Sequence, residues 1–212
     1  MARTLARALN YLYIDSGAMY RAVTLYALHQ GLISPSGEIN LEGLEEALDH
    51  VLINFKYNPE SGKNEIFLNG SNVEREIRTL QVSNHVSPVS NIKAVRQKLV
   101  RLQKRMAELK GVVMDGRDIG TVVIPDAELK FFMTADNKVR AQRRFKELQS
   151  MGVETTLSEV QANIMSRDEY DTTRANDPLR QASDAIVLDN TQLTPEEQFD
   201  FILKHVRRLT AD

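Results

Sequence analysis

Residues 111–121 read Gly-Val-Val-Met-Asp-Gly-Arg-Asp-Ile-Gly-Thr, and the rest of the chain can be organised around this stretch. Val112, Val113 and Met114 form a short apolar run, which is typical of a strand buried on both faces. Asp115 ends the run and is the first of three charged side chains within four positions. Because ligands of an open α/β sheet bind at the carboxyl ends of its strands, this crowding predicts a site. The alternative for this segment alone is a strand that leads into a solvated turn.

The segments on both sides of this stretch alternate between helix and strand. Residues 1–9 have one apolar and one basic face at helical spacing, and Tyr11–Ile14 is a short strand rich in aromatic residues. A polar turn at 15–17 then leads into the helix Ala18–Gln30. The later elements are the strands Leu129–Met133 and Ala185–Leu188 and helices at Asn137–Met151, at Thr156–Asp168 and from Pro195 onward. This alternation predicts an α/β fold with a parallel sheet.

Residues 38–107 interrupt the alternation with an antiparallel pattern. Val51–Tyr57 carries apolar residues on one face and precedes a second strand, Glu65–Leu68, so the two predict a hairpin. A long helical region, Arg75–Glu108, follows with a break near Pro88. We therefore predict three parts, which are a first core part at 1–37, a small α+β insertion at 38–107 and a second core part at 108–212 with a lid at about 138–175.

The composition excludes several classes of function. The chain has no cysteine, which excludes disulfides, thiolate nucleophiles and cysteine-ligated zinc. Twenty-seven basic and 29 acidic residues give a formal net charge of −2, so the overall charge gives no case for binding nucleic acid or a membrane surface. No apolar run approaches the roughly 20 residues of a membrane span, and the first residues do not resemble a secretory signal. We therefore expect a cytoplasmic protein with no nucleic-acid or membrane partner.

Two groups of arginines are candidates for binding phosphate. The first group lies near turns and strand ends and consists of Arg21, Arg117, Arg167 and Arg174. A guanidinium fork holds phosphate oxygens with charge-assisted bonds worth about 1.5–3 kcal/mol each, although one arginine alone is more often a surface charge. The second group shares one side of a helix and consists of Arg140, Arg143 and Arg144, for which a solvated basic face is the alternative.

Three motifs in combination give the chain a resemblance to a known family. Residues 14–21 read Ile-Asp-Ser-Gly-Ala-Met-Tyr-Arg, residues 115–123 read Asp-Gly-Arg-Asp-Ile-Gly-Thr-Val-Val, and an Arg-Asp pair at 167–168 precedes Asp171 and Arg174. In this order they resemble the bacterial-type cytidylate kinases, which are nucleoside monophosphate kinases. The resemblance implies a P-loop NTPase-like parallel sheet with flanking helices. It also implies that the insertion binds the nucleoside monophosphate.

The resemblance further implies a role for each matched residue. The CMP phosphate would be held by Ser16, Arg21, Arg117 and Arg174. The cytosine edge would be read by Ser87, Arg96 and Asp118, and the ribose hydroxyls would bind Asp171, itself held by Arg167. Asp115 would be a Walker B-type acid that organises water around Mg²⁺, and it would form the catalytic set with Arg117 and Arg174. The lid over the ATP phosphates would contribute Arg140, Arg143 and Arg144.

The implied reading of the base is chemically reasonable. Cytosine offers an exocyclic amine beside ring and carbonyl acceptors, so a carboxylate such as Asp118 suits the amine. Uracil has a carbonyl at that position and would leave Asp118 without a donor. Such a mismatch can cost a few kcal/mol, which is enough for strong discrimination. The expected substrates are therefore CMP, dCMP and ATP, the expected cofactor is Mg²⁺, and we expect a monomer.

The sequence departs from the family pattern at one place. No G-x-x-x-x-G-K-[ST] loop, the motif that cradles donor phosphates, occurs in the 212 residues, and the first, central strand of the sheet is missing with it. Two explanations stay open at this point. Either the native product begins about twenty residues upstream, or this is a shortened protein that binds CMP without kinase activity. A hydrolase or another P-loop transferase on the same scaffold is the rival from a different enzyme class.

Overall fold

The computed structural model describes residues 1–60, 62–150 and 152–209. In chain order the elements are α1 (Ala2–Leu9), β1 (Leu12–Asp15), α2 (Ser16–His29), α3 (Leu41–Ala47), β2 (Ile53–Asn58), β3 (Lys63–Leu68), β4 (Ser71–Asn72), α4 (Leu80–Asn91), α5 (Lys93–Ala107), β5 (Val112–Asp115), β6 (Phe131–Thr134), α6 (Asn137–Ser150), α7 (Leu157–Thr173), β7 (Ile186–Asp189) and α8 (Pro195–Leu209). Short 3₁₀ turns at Leu48–His50 and Glu76–Arg78 and a π-helical turn at Ile119–Val123 connect some of them.

Four strands run parallel in two pairs. β1 pairs with β5, and β6 pairs with β7, each over four residues. Within the described residues no strand joins β5 to β6. Strands that alternate with helices and pair in parallel confirm the predicted α/β class. The predicted antiparallel hairpin is also present, since β2 pairs with β3 and β3 with the short β4.

Two apolar cores support this arrangement. The larger one joins α2 to the predicted insertion, and its fully buried members include Met19, Ile66 and Leu99. The smaller one contains Leu5, Leu188 and Ile202 and lies among α1, β7 and α8, with side chains of β5 and β6 packed against it. The smaller core thus holds the two strand pairs together through the helices beside them. The division of the chain into core and insertion stays a prediction.

Three details of the helices and strands differ from the predictions. The helical region breaks at Ile92, which is extended, and not at Pro88, which α4 accommodates because Val86 and Val89 on either side of it are buried in the core. The hairpin face is buried only at its base, since Tyr57 is exposed. The helix predicted at Thr156–Asp168, which is α7, continues to Thr173. The acidic residues at its end therefore lie on a helix and not in a loop.

Some predicted segments include residues outside the described part. These are Ser61 in the hairpin turn, Met151 at the end of a predicted helix and residues 210–212 at the end of the second core part. Of the helices that are described, none combines the length and apolar character needed to cross a membrane.

Candidate active site

A cavity of about 1760 Å³ extends from α1 and α8 along β5 and β6 to the carboxyl ends of these strands. Its wall contains most of the residues for which the sequence predicts a role, namely Ser16, Arg21, Ser87, Asp115, Arg117, Asp118, Arg140, Arg143, Arg144, Arg167, Asp171 and Arg174. The remaining one, Arg96, is buried on α5 behind the wall and donates to Asp118. The structure therefore brings together residues from five separate helices, from the end of β5 and from the turn that follows it.

Two carboxylates face each other where the first strand pair ends. Asp15 ends β1 and Asp115 ends β5, and the parallel register pairs the two residues. Asp15 Oδ1 accepts from the amide of Ala18 at 2.8 Å, which caps α2. Asp115 Oδ2 accepts from the Tyr13 hydroxyl at 3.0 Å, and Ser16 Oγ donates to the Asp115 backbone carbonyl at 2.6 Å. Burial in the cavity wall, followed by the charge of Asp15, raises the pKa of Asp115 to about 6.

The turn after β5 lies directly against the start of α2. A Cβ atom at position 116 would lie 2.2 Å from Ser16 Oγ, so only Gly116 fits there. This close approach brings Arg117 and Asp118, the two residues that follow, beside the N-terminal end of α2. The local sequence Asp-Gly-Arg-Asp thus combines a glycine, which allows the close contact with Ser16, with three charged residues.

The arginines on the wall carry more positive charge than their neighbours neutralise. Among the described residues Arg21 donates only to Ser83 Oγ, at 3.1 Å, and burial followed by the charge of nearby Arg167 lowers its pKa to about 10. Burial followed by Arg117 lowers the pKa of Arg167, and its Nε is buried with no hydrogen-bond partner among the described residues. Burial likewise lowers the pKa of Arg174. An anion placed among these groups would be strongly favoured.

The carboxylate of Asp171 contacts two arginines. Arg117 Nε donates to Asp171 Oδ2 at 2.8 Å, and Arg174 Nη1 lies 3.6 Å from Asp171 Oδ1. Arg167 makes no hydrogen bond to this carboxylate in the described structure, although the charge of Asp171 acts to raise its pKa, so the prediction that it holds Asp171 stays a prediction. Asp171 occupies the last turn of α7 and faces the β5 turn, whereas Arg167 lies one turn earlier and approaches Arg21.

A buried ion-pair network lies beside this group. The Arg96 side chain, 3 % exposed, donates through Nη2 to Asp118 Oδ2, through Nε to Asp177 Oδ2 at 2.8 Å and through Nη1 to the Ser90 carbonyl at 3.3 Å. Arg174 Nη2 lies 3.9 Å from Asp118 Oδ1. Burial raises the pKa of Asp118, and the charges of Arg96 and Arg174 oppose that rise. Two of the three predicted base-reading residues, Arg96 and Asp118, are thus directly bonded to each other, while Ser87 faces the same cavity from α4.

The three arginines predicted for the lid lie on α6, and they are Arg140, Arg143 and Arg144. Each already has a protein partner. The first donates through both Nη atoms to Asp168 of α7, the second to the side chain and carbonyl of Asn190 at 2.9 and 2.8 Å, and the third to Glu147 at 2.7 Å. Because all three line the cavity, a solvated basic face does not fully describe them. Their role in covering the ATP phosphates stays a prediction.

Sequence reasoning missed several residues that take part in the site. Asp177 bonds to Arg96 from 81 positions away, and the sequence predicted no role for it. Arg78 lines the cavity 3.7 Å from Asp15, and no role was predicted for it either. Tyr13 was predicted only as a strand residue. Because side chains two positions apart lie on the same face of a strand, the Tyr13 hydroxyl could have been placed on the same face as Asp15, where the strand ends.

The strand-end carboxylates fit the Mg²⁺ ion that the resemblance implies. No group of three or more metal-binding side chains occurs among the residues that are described. Mg²⁺, however, is usually held by one or two carboxylates together with waters and substrate phosphates. Burial, followed by the charge of Asp15, raises the pKa of Asp115, and a bound cation would offset both effects. Asp15 and Asp115 would therefore hold this ion.

We expect Asp115→Asn to stabilise the unliganded protein at pH 7.5. A carboxyl group with a raised pKa contributes fully to stability below its ordinary value of 3.8 and loses that contribution as the pH rises through about 6. The neutral amide avoids this loss. Since the group faces an open cavity, solvent screens part of the repulsion, and we expect the thermal midpoint to rise by roughly 2–4 °C.

The measurement is thermal unfolding with and without 5–10 mM Mg²⁺, that is, on the order of the millimolar range in which weak carboxylate sites fill. Mg²⁺ should stabilise the wild-type protein more than the variant. Asp49→Asn, at an exposed position in a 3₁₀ turn, is the control and should change neither midpoint. A variant less stable than wild type at pH 7.5 would contradict this interpretation of Asp115.

Comparisons with known proteins agree with this geometry. The family model described as cytidylate kinase matches residues 1–208. A cytidylate kinase of Phocaeicola vulgatus is 52 % identical over 198 residues, which is 93 % of this chain and 86 % of that protein. One from Porphyromonas gingivalis is 50 % identical over 212 residues, covering 100 % of this chain and 91 % of its own. A third, from Flavobacterium johnsoniae, is 50 % identical over 206 residues, with coverages of 97 % and 89 %.

Proposed function

This chain belongs to the cytidylate kinase family, and we propose that it transfers the γ-phosphoryl group of ATP to CMP and dCMP. The family consists of nucleoside monophosphate kinases. The observation that carries the proposal is the convergence of Arg21, Arg117 and Arg174 on one cavity at the strand ends. Arg21 and Arg174 are largely buried, Arg117 is 43 % exposed, and together their charge suits the phosphate of a nucleotide.

The geometry supports direct in-line transfer without a covalent enzyme intermediate. Phosphoryl transfer depends on positioning and on neutralising charge, and the arginines at the strand ends supply both. They would hold the CMP phosphate and leave one of its oxygens facing the donor. Bound Mg²⁺ would supply further neutralisation of phosphate charge. The α6 and α7 helices, which carry further arginines, would cover the site and exclude water.

The buried pair of Arg96 and Asp118 supports cytosine as the base. Asp118 Oδ2 is engaged by Arg96, whereas Oδ1 has no hydrogen bond among the described residues and lies 3.9 Å from the nearest Arg174 nitrogen. A carboxylate oxygen with free lone pairs suits the exocyclic amine of cytosine. CMP and dCMP carry the same base and differ only in the sugar, so the proposal includes both.

The test is a panel of acceptors with ATP and Mg²⁺. ADP formation should depend on CMP or dCMP and should be much slower with UMP, AMP or water. Release of ADP at equal rates with water alone would instead indicate a hydrolase. Calorimetry should detect binding of both CMP and ATP. Binding of CMP without any binding of ATP would favour the alternative, a nucleotide-binding protein without kinase activity, which the lack of a G-x-x-x-x-G-K-[ST] motif in the 212 residues brings into consideration.

A further inference from the structure

We propose that Asp177 is a positioning residue that sets the preference for cytosine over uracil by holding Arg96 away from full engagement with Asp118. This inference rests on the proposed binding of CMP and adds a residue to which no role was assigned. Asp177 lies in the connection between α7 and β7, four residues after the end of α7. Its side chain is 35 % exposed, whereas the Arg96 side chain that it contacts is 3 % exposed.

Arg96 has two acidic partners, which bind different parts of its guanidinium. The Nε edge of its guanidinium donates to Asp177 at 2.8 Å, and Nη2 donates to Asp118. A guanidinium presents its donors in a rigid fork, and it binds a single carboxylate most strongly through two parallel bonds. Because Asp177 occupies the Nε edge, Arg96 meets only one oxygen of Asp118. Oδ1 of Asp118 therefore keeps its lone pairs for a ligand.

Loss of the charge at position 177 would change how Arg96 binds Asp118. Arg96 is buried and has no acidic partner except Asp177 and Asp118 among the described residues. Without the carboxylate at position 177, the guanidinium is free to turn and to bind both oxygens of Asp118. The acceptor for the cytosine amine is then consumed by the protein itself. CMP would lose a charge-assisted hydrogen bond, whereas UMP, which has no amine at this position, would lose none.

Asp177 contacts the proposed base site through its side chain and the proposed phosphate site through its backbone. Arg174 also contacts Asp177, but through the backbone, since its Nε donates to the Asp177 carbonyl oxygen at 2.9 Å. Asp177 has a φ of 47°, in the left-handed region that glycine adopts freely and that asparagine tolerates better than most residues. Asp177→Asn and Asp177→Gly therefore remove the carboxylate while they keep the backbone carbonyl in position for Arg174.

The experiment measures the dissociation constants of CMP and UMP by calorimetry on the 212-residue chain. An asparagine can still accept one neutral hydrogen bond from Arg96, so we expect about threefold weaker CMP binding for Asp177→Asn and about tenfold for Asp177→Gly. UMP binding should stay within about twofold of wild type for both variants, since the phosphate site is unchanged. The control is Asp49→Asn, which removes an exposed carboxylate away from the cavity and should alter neither constant.

Each outcome has a defined meaning. Loss of CMP affinity in the order wild type, asparagine, glycine, with UMP unaffected, supports the inference. Equal loss for CMP and UMP overturns it, because a merely structural role would weaken both nucleotides. Unchanged CMP binding in both variants also overturns it. A wild-type protein that binds no CMP overturns the proposed function instead, and this is established before any variant is compared. Thermal midpoints of all proteins identify a variant that fails to fold, in which case the second variant decides.

Discussion

Replacement of Arg174 by alanine is expected to lower CMP turnover by at least about 100-fold, the effect typical of losing one donor to a charged transition state. The Arg174 side chain is 3 % exposed and lies 3.6 Å from Asp171 and 3.9 Å from Asp118. It is therefore placed between the groups proposed for the ribose and for the base, with its remaining donors directed at the Asp177 carbonyl. No other arginine in the described structure contacts both carboxylates, so no neighbour can replace its charge.

The size of this effect depends on geometry as well as charge. Arg174→Lys keeps a cation but loses the planar fork, and we expect an intermediate loss of about 10-fold or more. Turnover and KM for CMP should be measured for both variants, together with CMP affinity by calorimetry. Arg101→Ala, at an exposed position on α5, is the control and should behave as wild type. Near-normal turnover of Arg174→Ala, with an unchanged thermal midpoint, would contradict the role proposed for this residue.

The sequence was sufficient to predict the elements whose signals are local. The apolar run before Asp115, the helix that begins at Pro195 and the hairpin of Ile53–Asn58 with Lys63–Leu68 each depend on neighbouring residues, and all three are present. The position where a long helical region breaks was predicted incorrectly. Pro88 lacks an N–H and favours a break, but the burial of Val89 in the core outweighs that preference, and only the folded structure contains this information.

The site was predictable as a set of residues but not as a set of bonds. Motifs at 14–21 and 115–123 identified side chains that do line one cavity. Which carboxylate meets which guanidinium depends on the direction in which each helix turn faces. The resemblance assigned Arg167 to Asp171, and in the structure Arg117 donates a hydrogen bond to this carboxylate. Contacts between distant positions, such as Arg96 with Asp177, leave no trace in local spacing.

Replacement of Asp118 by asparagine is expected to reduce the preference for CMP over UMP by about 100-fold, from two effects that act in the same direction. The amide loses the charge that favours the cytosine amine. It also gains an N–H donor, which can serve the carbonyl that uracil presents at the same place. Because the residue is 4 % exposed, water cannot compensate either change well.

The same substitution should also destabilise the protein. Arg96 would lose one of its two acidic partners while it stays buried, and removal of one partner from a buried pair commonly costs about 3–5 kcal/mol. Asp177 remains to hold the guanidinium, so we expect a smaller loss of about 1–3 kcal/mol in the free energy of unfolding. Denaturant unfolding measures this loss, and the ratio of kcat/KM for CMP and UMP measures the preference. Asp49→Asn, an exposed change away from the cavity, should alter neither quantity. If Asp118→Asn lowers stability but leaves the preference for CMP intact, Asp118 serves only as the partner of Arg96, and the base must be read by other groups.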